Sequence, residues 1–232
     1  MESKDRIIFP LDVDSLAAAQ PYLTTLKGRV GLWKVGHALL LREGPAVLAR
    51  IIEQAGGQLF IDLKFHDIPN TVRQAAAALS AVSKQIRFFT VHTSDGDAAV
   101  RAAVQGAGPG VGVLGVTVLT SVAGGSGVEA RVVELAQAAK RAGCEGIVCS
   151  GHEAAAVRKT CGRDLLVVVP GIRPDWAEVT RDDQQRAMTP GEAIAAGADY
   201  LVVGRPIAAA ADPAGAAGRI AGEIDAALAN PR

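Results

Sequence analysis

Short apolar, β-favouring runs alternate with longer amphipathic segments along the whole chain. Runs that are apolar on both faces are typical of parallel strands buried inside α/β proteins. The pattern predicts eight such strands, over residues 7–11, 30–35, 59–65, 86–91, 111–118, 146–149, 165–169 and 199–203. Strands that alternate with helices form parallel sheets, and eight units in 232 residues favour a closed barrel. We therefore expect an α/β fold, a single (β/α)8 TIM barrel over residues 1–232.

Each predicted strand is followed by a predicted helix. The helices are expected over residues 14–26, 38–55, 70–83, 94–105, 128–142, 150–160, from 190 onward and 206–228. Asp14 or Ser15 is placed to be the N-cap of the first helix, and Asp14 is favoured. Two later segments, from Ser150 to Glu153 and from Thr189 to Glu192, have the spacing of a capping box.

Composition excludes several classes of protein. Hydrophobic residues make up 49% of the chain and the formal net charge is zero. Because there is no basic block and no interleaving of arginine with aromatic residues, we do not expect nucleic acid as a partner. The chain has no apolar stretch near the ~18 residues that cross a bilayer, and no signal-type segment. Three cysteines without CxxC spacing indicate neither a metal site nor a disulfide framework, so we expect a cytoplasmic protein without membrane association.

The third predicted strand carries charges where a buried strand should be apolar. Asp62 and Lys64 are two residues apart, so their side chains project from the same face of the strand. Burying either charge costs several kcal/mol unless it is paired, and an acid beside a base therefore indicates a site. The alternative is a structural ion pair, with the nearby Asp67 acting only at the start of the next helix.

Other polar residues follow the ends of predicted strands, which is where a (β/α)8 barrel carries its functional groups. These residues are Asp12, Lys34, Thr120, Arg173, Gly204 and Arg205. Two of them have a simpler interpretation. Asp12 could be a helix-start acid, and Lys34 could extend to the surface if Trp33 were the inward residue. Arg181 and Arg186 are expected to face solvent, and the four histidines are expected to be structural because no spacing makes them a metal triad.

The string Asp62-x-Lys64-x-x-Asp67, followed directly by Ile-Pro-Asn-Thr71, resembles the signature of the orotidine 5'-phosphate decarboxylase family. A wider superfamily of phosphosugar decarboxylases and synthases shares only the first part of this string. The resemblance implies decarboxylation of orotidine 5'-monophosphate to uridine 5'-monophosphate, the last step of de novo pyrimidine nucleotide biosynthesis, without a metal or an organic cofactor. It assigns Lys64 as the cation and proton donor, within an array of alternating charge that also contains Lys34, Asp62 and Asp67.

The same resemblance implies the roles of the substrate-binding residues. Asp12 would bind the ribose hydroxyls, and Thr120 or Ser121, with Thr120 favoured, would contact the pyrimidine. Arg173, Gln184, Gly204 and Arg205 would hold the phosphate, and phosphate grips after strands seven and eight are usual in such barrels. Asp67 and Thr71 would reach across a homodimer to complete the partner's site.

Three other functions fit parts of the pattern. A Mg²⁺-dependent phosphosugar decarboxylase or synthase would be expected to have an acid in place of Lys34. A Schiff-base aldolase would use Lys64 and would be trapped by borohydride. A non-catalytic barrel that binds a phosphate ligand would have no use for the whole charged array.

Overall fold

In the part of the chain that the computed structural model describes, residues 1–122, 125–177 and 186–230, eight parallel strands close into a barrel in sequence order. The side chains of residues 95 and 126 are outside the description as well. The strands are β1 Ile7–Pro10, β2 Leu32–Gly36, β3 Gln58–Phe65, β4 Ile86–His92, β5 Gly112–Val116, β6 Gly146–Val148, β7 Leu166–Val169 and β8 Tyr200–Val202. Pairing of β8 with β1 closes the ring. The predicted fold is confirmed.

Helices cover the outside of this barrel. They are α1 Leu16–Thr25, α2 His37–Glu43, α3 Val47–Ala55, α4 Pro69–Val82, α5 Asp97–Gly106, α6 Ser126–Ala142, α7 Gly151–Cys161, α8 Pro190–Ala195, α9 Arg205–Ala208 and α10 Pro213–Ala229. No helix among the described residues is both long enough and apolar enough to cross a membrane.

Two helices predicted to be continuous are broken. The predicted helix 38–55 is interrupted where Gly44 adopts a φ of +72° and a proline follows. The predicted helix 206–228 is interrupted before Asp212, whose carboxylate accepts a hydrogen bond from the N–H of Gly215 at 2.9 Å and so begins α10. The N-cap of α1 is Ser15, not Asp14, because the serine hydroxyl accepts a hydrogen bond from the N–H of Ala18.

Alternation along the strands separates an outer core from an inner one. Outward-facing strand residues pack against the helices, and Trp33 belongs to this layer, where its indole N–H donates to the carbonyl of Gly56 at 3.1 Å. The interpretation with Trp33 pointing inward is therefore wrong. An apolar layer fills the barrel itself, with Ile8, Leu32, Phe60, Phe88, Leu114, Val168 and Tyr200.

The polar site stands directly on this apolar layer. Because side chains alternate with a period of two, the next inward positions after Leu32, Phe60 and Phe88 are two residues further along their strands. Those positions hold Lys34, Asp62 and Thr90. The barrel thus brings an ammonium, a carboxylate and a hydroxyl from three neighbouring strands to its carboxyl end.

Candidate active site

A cavity of about 370 Å³ opens at the carboxyl end of the barrel. Residues from seven of the eight strands, all but β4, or from the segments that follow them line it. The lining includes these residues from the sequence analysis: Asp12, Lys34, Asp62, Lys64, Thr120, Arg173, Gly204 and Arg205. Concave sites of this size bury small ligands, and this one combines convergent charges with apolar walls.

Asp62 lies at the centre of the charged groups. Its Oδ1 accepts a hydrogen bond from Lys64 Nζ at 2.8 Å, and its Oδ2 lies 3.6 Å from Lys34 Nζ. Lys34 Nζ also donates to Asp12 Oδ1 at 3.0 Å. Charges therefore alternate from Asp12 through Lys34 and Asp62 to Lys64. The side chains of Lys34 and Asp62 are only 12% and 16% exposed, whereas that of Asp12 is 67% exposed and reaches the mouth of the cavity.

Lys64 has an unusual backbone conformation. Its φ is +49°, and among the described residues no other non-glycine residue has a positive φ. A non-glycine residue in this left-handed region is strained by ~1–2 kcal/mol, so its surroundings must hold it there. The pairing between β3 and β4 shifts register between Ile61 and Phe65, which makes room for the irregular backbone.

Thr90 holds both members of the central pair. Its hydroxyl accepts a hydrogen bond from the backbone N–H of Lys64 at 2.8 Å and donates to Asp62 Oδ1 at 3.1 Å. Thr90 is fully buried, so no water competes for this hydroxyl. Thr90 was not among the predicted site residues, although a threonine within a mostly apolar strand was a usable signal.

The electrostatic surroundings keep Asp62 ionised. Burial acts to raise the pKa of this carboxyl, but the nearby charges of Lys34 and Lys64 and hydrogen bonds from Lys64 and Thr90 oppose it. The net effect is a pKa below the ordinary value for aspartate. A group with a lowered pKa stabilises the fold at neutral pH, and this contribution is lost as the pH falls through its folded-state pKa.

Replacing Thr90 with valine tests this arrangement, because valine keeps the shape and removes only the hydroxyl. We expect the free energy of unfolding at neutral pH to fall by about 2 kcal/mol, as for a lost hydrogen bond to a charged group. The difference in the free energy of unfolding between Thr90→Val and wild type should become smaller as the pH falls below the ordinary carboxyl range and Asp62 becomes protonated. Urea unfolding of both proteins, monitored by circular dichroism across this pH range, measures this difference in free energy.

Thr93 supplies the matched control for this experiment. Its buried hydroxyl donates to the carbonyl of Val116 at 2.7 Å, a partner that does not titrate. Thr93→Val should therefore lower stability by an amount that does not change with pH. A Thr90→Val difference that stays constant as the pH falls would contradict the assigned hydrogen bond to Asp62.

Apolar groups form the rest of the wall, and they lower the local dielectric around the charges. They include Phe9, Phe60, Val116, Val118, Leu119, Val148, Cys149 and Pro170. Cys149 is buried, and desolvation raises its pKa, so it is not poised as a nucleophile. Within the described ranges, no group of three histidine, cysteine or acidic residues is placed to hold a metal ion.

The carboxyl ends of the neighbouring strands β7 and β8 form another side of the cavity. Gly204 lies so close to β1 that a Cβ on it would be 2.8 Å from Cγ of Pro10, which explains a glycine at this position. Arg205 begins α9 directly afterwards. Arg173 is held by its backbone N–H, which donates to the carbonyl of Met188 at 2.8 Å. Two guanidinium side chains thus line the same end of the cavity.

Two residues from the sequence analysis do not line this cavity, and a third falls outside the described part of the chain. Asp67 is exposed, and its carboxylate accepts a hydrogen bond from the N–H of Ile68 at 2.6 Å. Thr71 is exposed in the first turn of α4. Gln184 lies outside the described residues. Of the two candidates after β5, Thr120 lines the cavity.

Arg186 contradicts the prediction that it faces solvent. It is only 5% exposed and forms an ion pair with Glu153, which is 3% exposed. Glu153 was expected to complete a capping box with Ser150, but Ser150 caps α7 by accepting from the N–H of His152. No local pattern indicates this pair, because 33 residues separate its members.

The histidines lie around the site without forming a cluster. His37 Nε2 is 2.9 Å from the carbonyl oxygen of Leu63, on the strand that carries the charged pair. The rings of His66 and His92 meet edge to face at 5.5 Å. These three histidines are not among the residues that line the cavity.

Comparison with known proteins places this geometry in a family. Residues 5–220 match the model of the Orotidine 5'-phosphate decarboxylase / HUMPS family. A protein named orotidine 5'-phosphate decarboxylase from Syntrophotalea carbinolica is 49% identical over 98% of both chains. One of the same name from Anaeromyxobacter sp. (strain K) is 50% identical over 95% of this chain and 99% of its own. The crystal structure of orotidine 5'-phosphate decarboxylase from Lactobacillus acidophilus superposes with a TM-score of 0.80, at 33% identity over 94% of this chain and 98% of its own. The chain belongs to the Orotidine 5'-phosphate decarboxylase / HUMPS family.

Proposed function

We propose that this protein decarboxylates orotidine 5'-monophosphate to uridine 5'-monophosphate, the last step of de novo pyrimidine nucleotide biosynthesis. One observation carries the proposal: Asp62 is held between Lys34 and Lys64 inside an apolar cavity at the carboxyl end of the barrel. The relatives named as this decarboxylase, which match almost the whole chain, support it.

The chemical problem is a carbanion without an electron sink. When the bond between ring carbon C6 and the carboxylate breaks, its electron pair remains on an sp² carbon and carbon dioxide leaves. Stabilisation must come from a positive charge that is already in place where the negative charge develops. Lys64 is our candidate for this cation, and its ammonium would then give a proton to C6.

Asp62 would keep that cation in position. Its hydrogen bond to Lys64 and its lowered pKa support a carboxylate that stays ionised beside the reacting group. The left-handed backbone of Lys64 and the hydrogen bond from its backbone N–H to Thr90 fix the main chain from which the ammonium extends. A charge that does not reorganise during the reaction stabilises the transition state most effectively.

The remaining cavity residues would bind the rest of the nucleotide. Asp12, joined to Lys34 at the mouth, is our candidate for the ribose hydroxyls, and Thr120 for the pyrimidine edge. Arg173 and Arg205, together with Gly204 and Gln184, would bind the phosphate through charge-assisted hydrogen bonds. Binding energy from this remote group would be used to raise the rate at the ring.

The assay is the loss of ultraviolet absorbance of orotidine 5'-monophosphate in the presence of excess chelator. Turnover that resists the chelator is the expected result for an enzyme in which lysine supplies the charge. No turnover by a folded protein would overturn the proposal, and phosphosugar substrates with added Mg²⁺ would then be the next to test. Borohydride trapping during turnover distinguishes a Schiff-base aldolase.

We further propose that the active enzyme is a homodimer with shared sites. Asp67 and Ile68 support this, because both follow β3 and are exposed, and Ile68 is a large apolar residue with 67% of its surface accessible. Asp67 would complete the charged array of a second subunit rather than of its own. A location in the cytoplasm is also proposed, since all three cysteines are buried free thiols.

Subunit mixing tests the shared site. Lys64→Ala and Asp67→Ala should each be nearly inactive alone. In hybrid dimers one site has both residues intact, so after subunit exchange the mixture should recover roughly one quarter of wild-type activity. Co-purification through a tag on one variant verifies exchange. A mixture that exchanges subunits but stays inactive would overturn the proposal that Asp67 acts in trans.

A further inference from the structure

Arg186 links the two sides of the cavity. We propose that Arg186 is a positioning residue, which fixes the segment that carries Thr120 relative to the segment that carries Arg173. Binding of the phosphate at one side is thereby used to order the pyrimidine contacts at the other. This inference rests on the proposed function and deepens it, because it names a residue that acts on the same site without lining it.

The contacts of Arg186 reach the pyrimidine side directly. Its Nη2 donates to the carbonyl of Leu119 at 3.2 Å. Leu119 and the adjacent Thr120 both line the cavity. Its Nη1 pairs with Oε1 of Glu153 in the first turn of α7. The guanidinium therefore joins the loop after β5 to the helix after β6.

The residues that follow Arg186 reach the phosphate side. Met188 pairs with Ile172 in an isolated β-bridge, and its carbonyl accepts the N–H of Arg173 at 2.8 Å. The carbonyl oxygen of Ala187 lies 3.3 Å from Nε2 of His152, so the segment is also attached to α7. Residues 186–188 thus lie between the two sides and contact both.

The pair is not arranged for stability alone. Arg186 Nε and Glu153 Oε2 are buried and have no hydrogen-bond partner among the described residues. Buried ion pairs contribute little net stability compared with apolar residues of the same volume, and unsatisfied atoms reduce that further. What an apolar pair cannot do is hold the Leu119 carbonyl. A directional contact to the loop is the property that requires an arginine here.

The test compares two substrates, orotidine 5'-monophosphate and orotidine, which lacks the phosphate. In Arg186→Lys the shorter ammonium cannot make both contacts of the guanidinium. We expect kcat/KM for the phosphorylated substrate to fall about 100-fold, as for a small misplacement of a positioned group, and part of the loss should be in kcat. For orotidine, kcat/KM should fall less than about threefold. This substrate has no phosphate whose binding energy Arg186 could pass to the ring, so only the contacts to the ring that both substrates share are affected.

Arg158→Lys is the matched control. Arg158 is on the same helix α7 and forms an ion pair with Asp199, but this pair lies at the amino end of β8. This control should lower thermal stability without changing the ratio of kcat/KM between the two substrates. If Arg186→Lys does not fold, the charge-free variant Arg186→Met with Glu153→Met removes the contact to Leu119 without leaving a lone buried charge.

Three outcomes would overturn the inference. They are an equal loss for both substrates, a loss confined to KM, and no loss at all. Turnover of the phosphorylated substrate by wild type is measured first. If wild type shows none, the proposed function is overturned. If wild type is active but Arg186→Lys lowers kcat/KM equally for both substrates, only the role of Arg186 is overturned.

Discussion

Lys64→Ala is expected to lower kcat for orotidine 5'-monophosphate by at least about 10⁴-fold. A general acid contributes roughly 10² to 10⁴ and a preorganised charge roughly 10² to 10³, and Lys64 is assigned both roles. The effect should be mainly in kcat, because the cation is needed most when negative charge has developed on the ring. Absorbance assays at saturating substrate, with long incubations at high enzyme concentration, measure the residual rate.

The fold should survive this substitution. Asp62 retains Lys34 at 3.6 Å and the hydroxyl of Thr90 at 3.1 Å, so its carboxylate keeps a counter-ion and a hydrogen bond. Lys27→Ala is the control, because the Lys27 ammonium is exposed and donates to the carbonyl of Gln54, a group outside the cavity lining. It should leave kcat unchanged. A Lys64→Ala protein that keeps more than about one hundredth of wild-type kcat would remove Lys64 from the centre of the mechanism.

Asp62→Asn has the second largest expected effect, a loss in kcat of roughly 10² to 10³-fold. The amide keeps the shape of the side chain but removes the negative charge that lies between Lys34 and Lys64. The two ammonium groups then repel each other, and Lys64 loses the partner that fixes its position. We also expect the free energy of unfolding to fall by about 3 kcal/mol, because a partner of largely buried charges is removed.

Glu145→Gln provides the comparison for Asp62→Asn. Glu145 pairs with Arg87 near the amino ends of β6 and β4, at the opposite end of the barrel. This variant should lose stability while kcat stays within about twofold of wild type, since it touches no substrate-facing group. If the two variants lose activity in proportion to their loss of stability, Asp62 has no role beyond holding the fold.

The strand pattern was sufficient for the barrel and for most of the site. Each predicted strand is present with ends within two residues of those observed, because buried parallel strands leave long apolar runs. The motif with Asp62 and Lys64 was visible because charges in such a run are rare. Asp12, Lys34, Thr120, Arg173 and Arg205 were found because a barrel collects the carboxyl ends of its strands at one face.

The helix breaks were harder to see than the strands. Gly44 and the proline after it interrupt α2 and α3, although apolar periodicity continues across them. Asp212 similarly begins a new helix inside an alanine-rich stretch. In these segments glycine, proline and the capping aspartate favour a helix end, whereas the apolar periodicity favours a continuous helix. How the chain packs on the barrel determines which of the two forms.

By itself the sequence determined the fold, the family and the charged strand, because each depends on residues that are close together in the chain. Only the tertiary structure decided which hydroxyl holds Asp62 and Lys64, and that Arg186 is buried against Glu153. Thr90 is 28 residues from Asp62, and Arg186 is 67 residues from Leu119, so no local pattern records either contact. The sequence placed Asp67 beyond the end of β3, as observed, but only the structure shows that its side chain is exposed, since exposure depends on how the loop after the strand packs. Pairing between distant groups depends on which strands become neighbours, and barrel closure determines that.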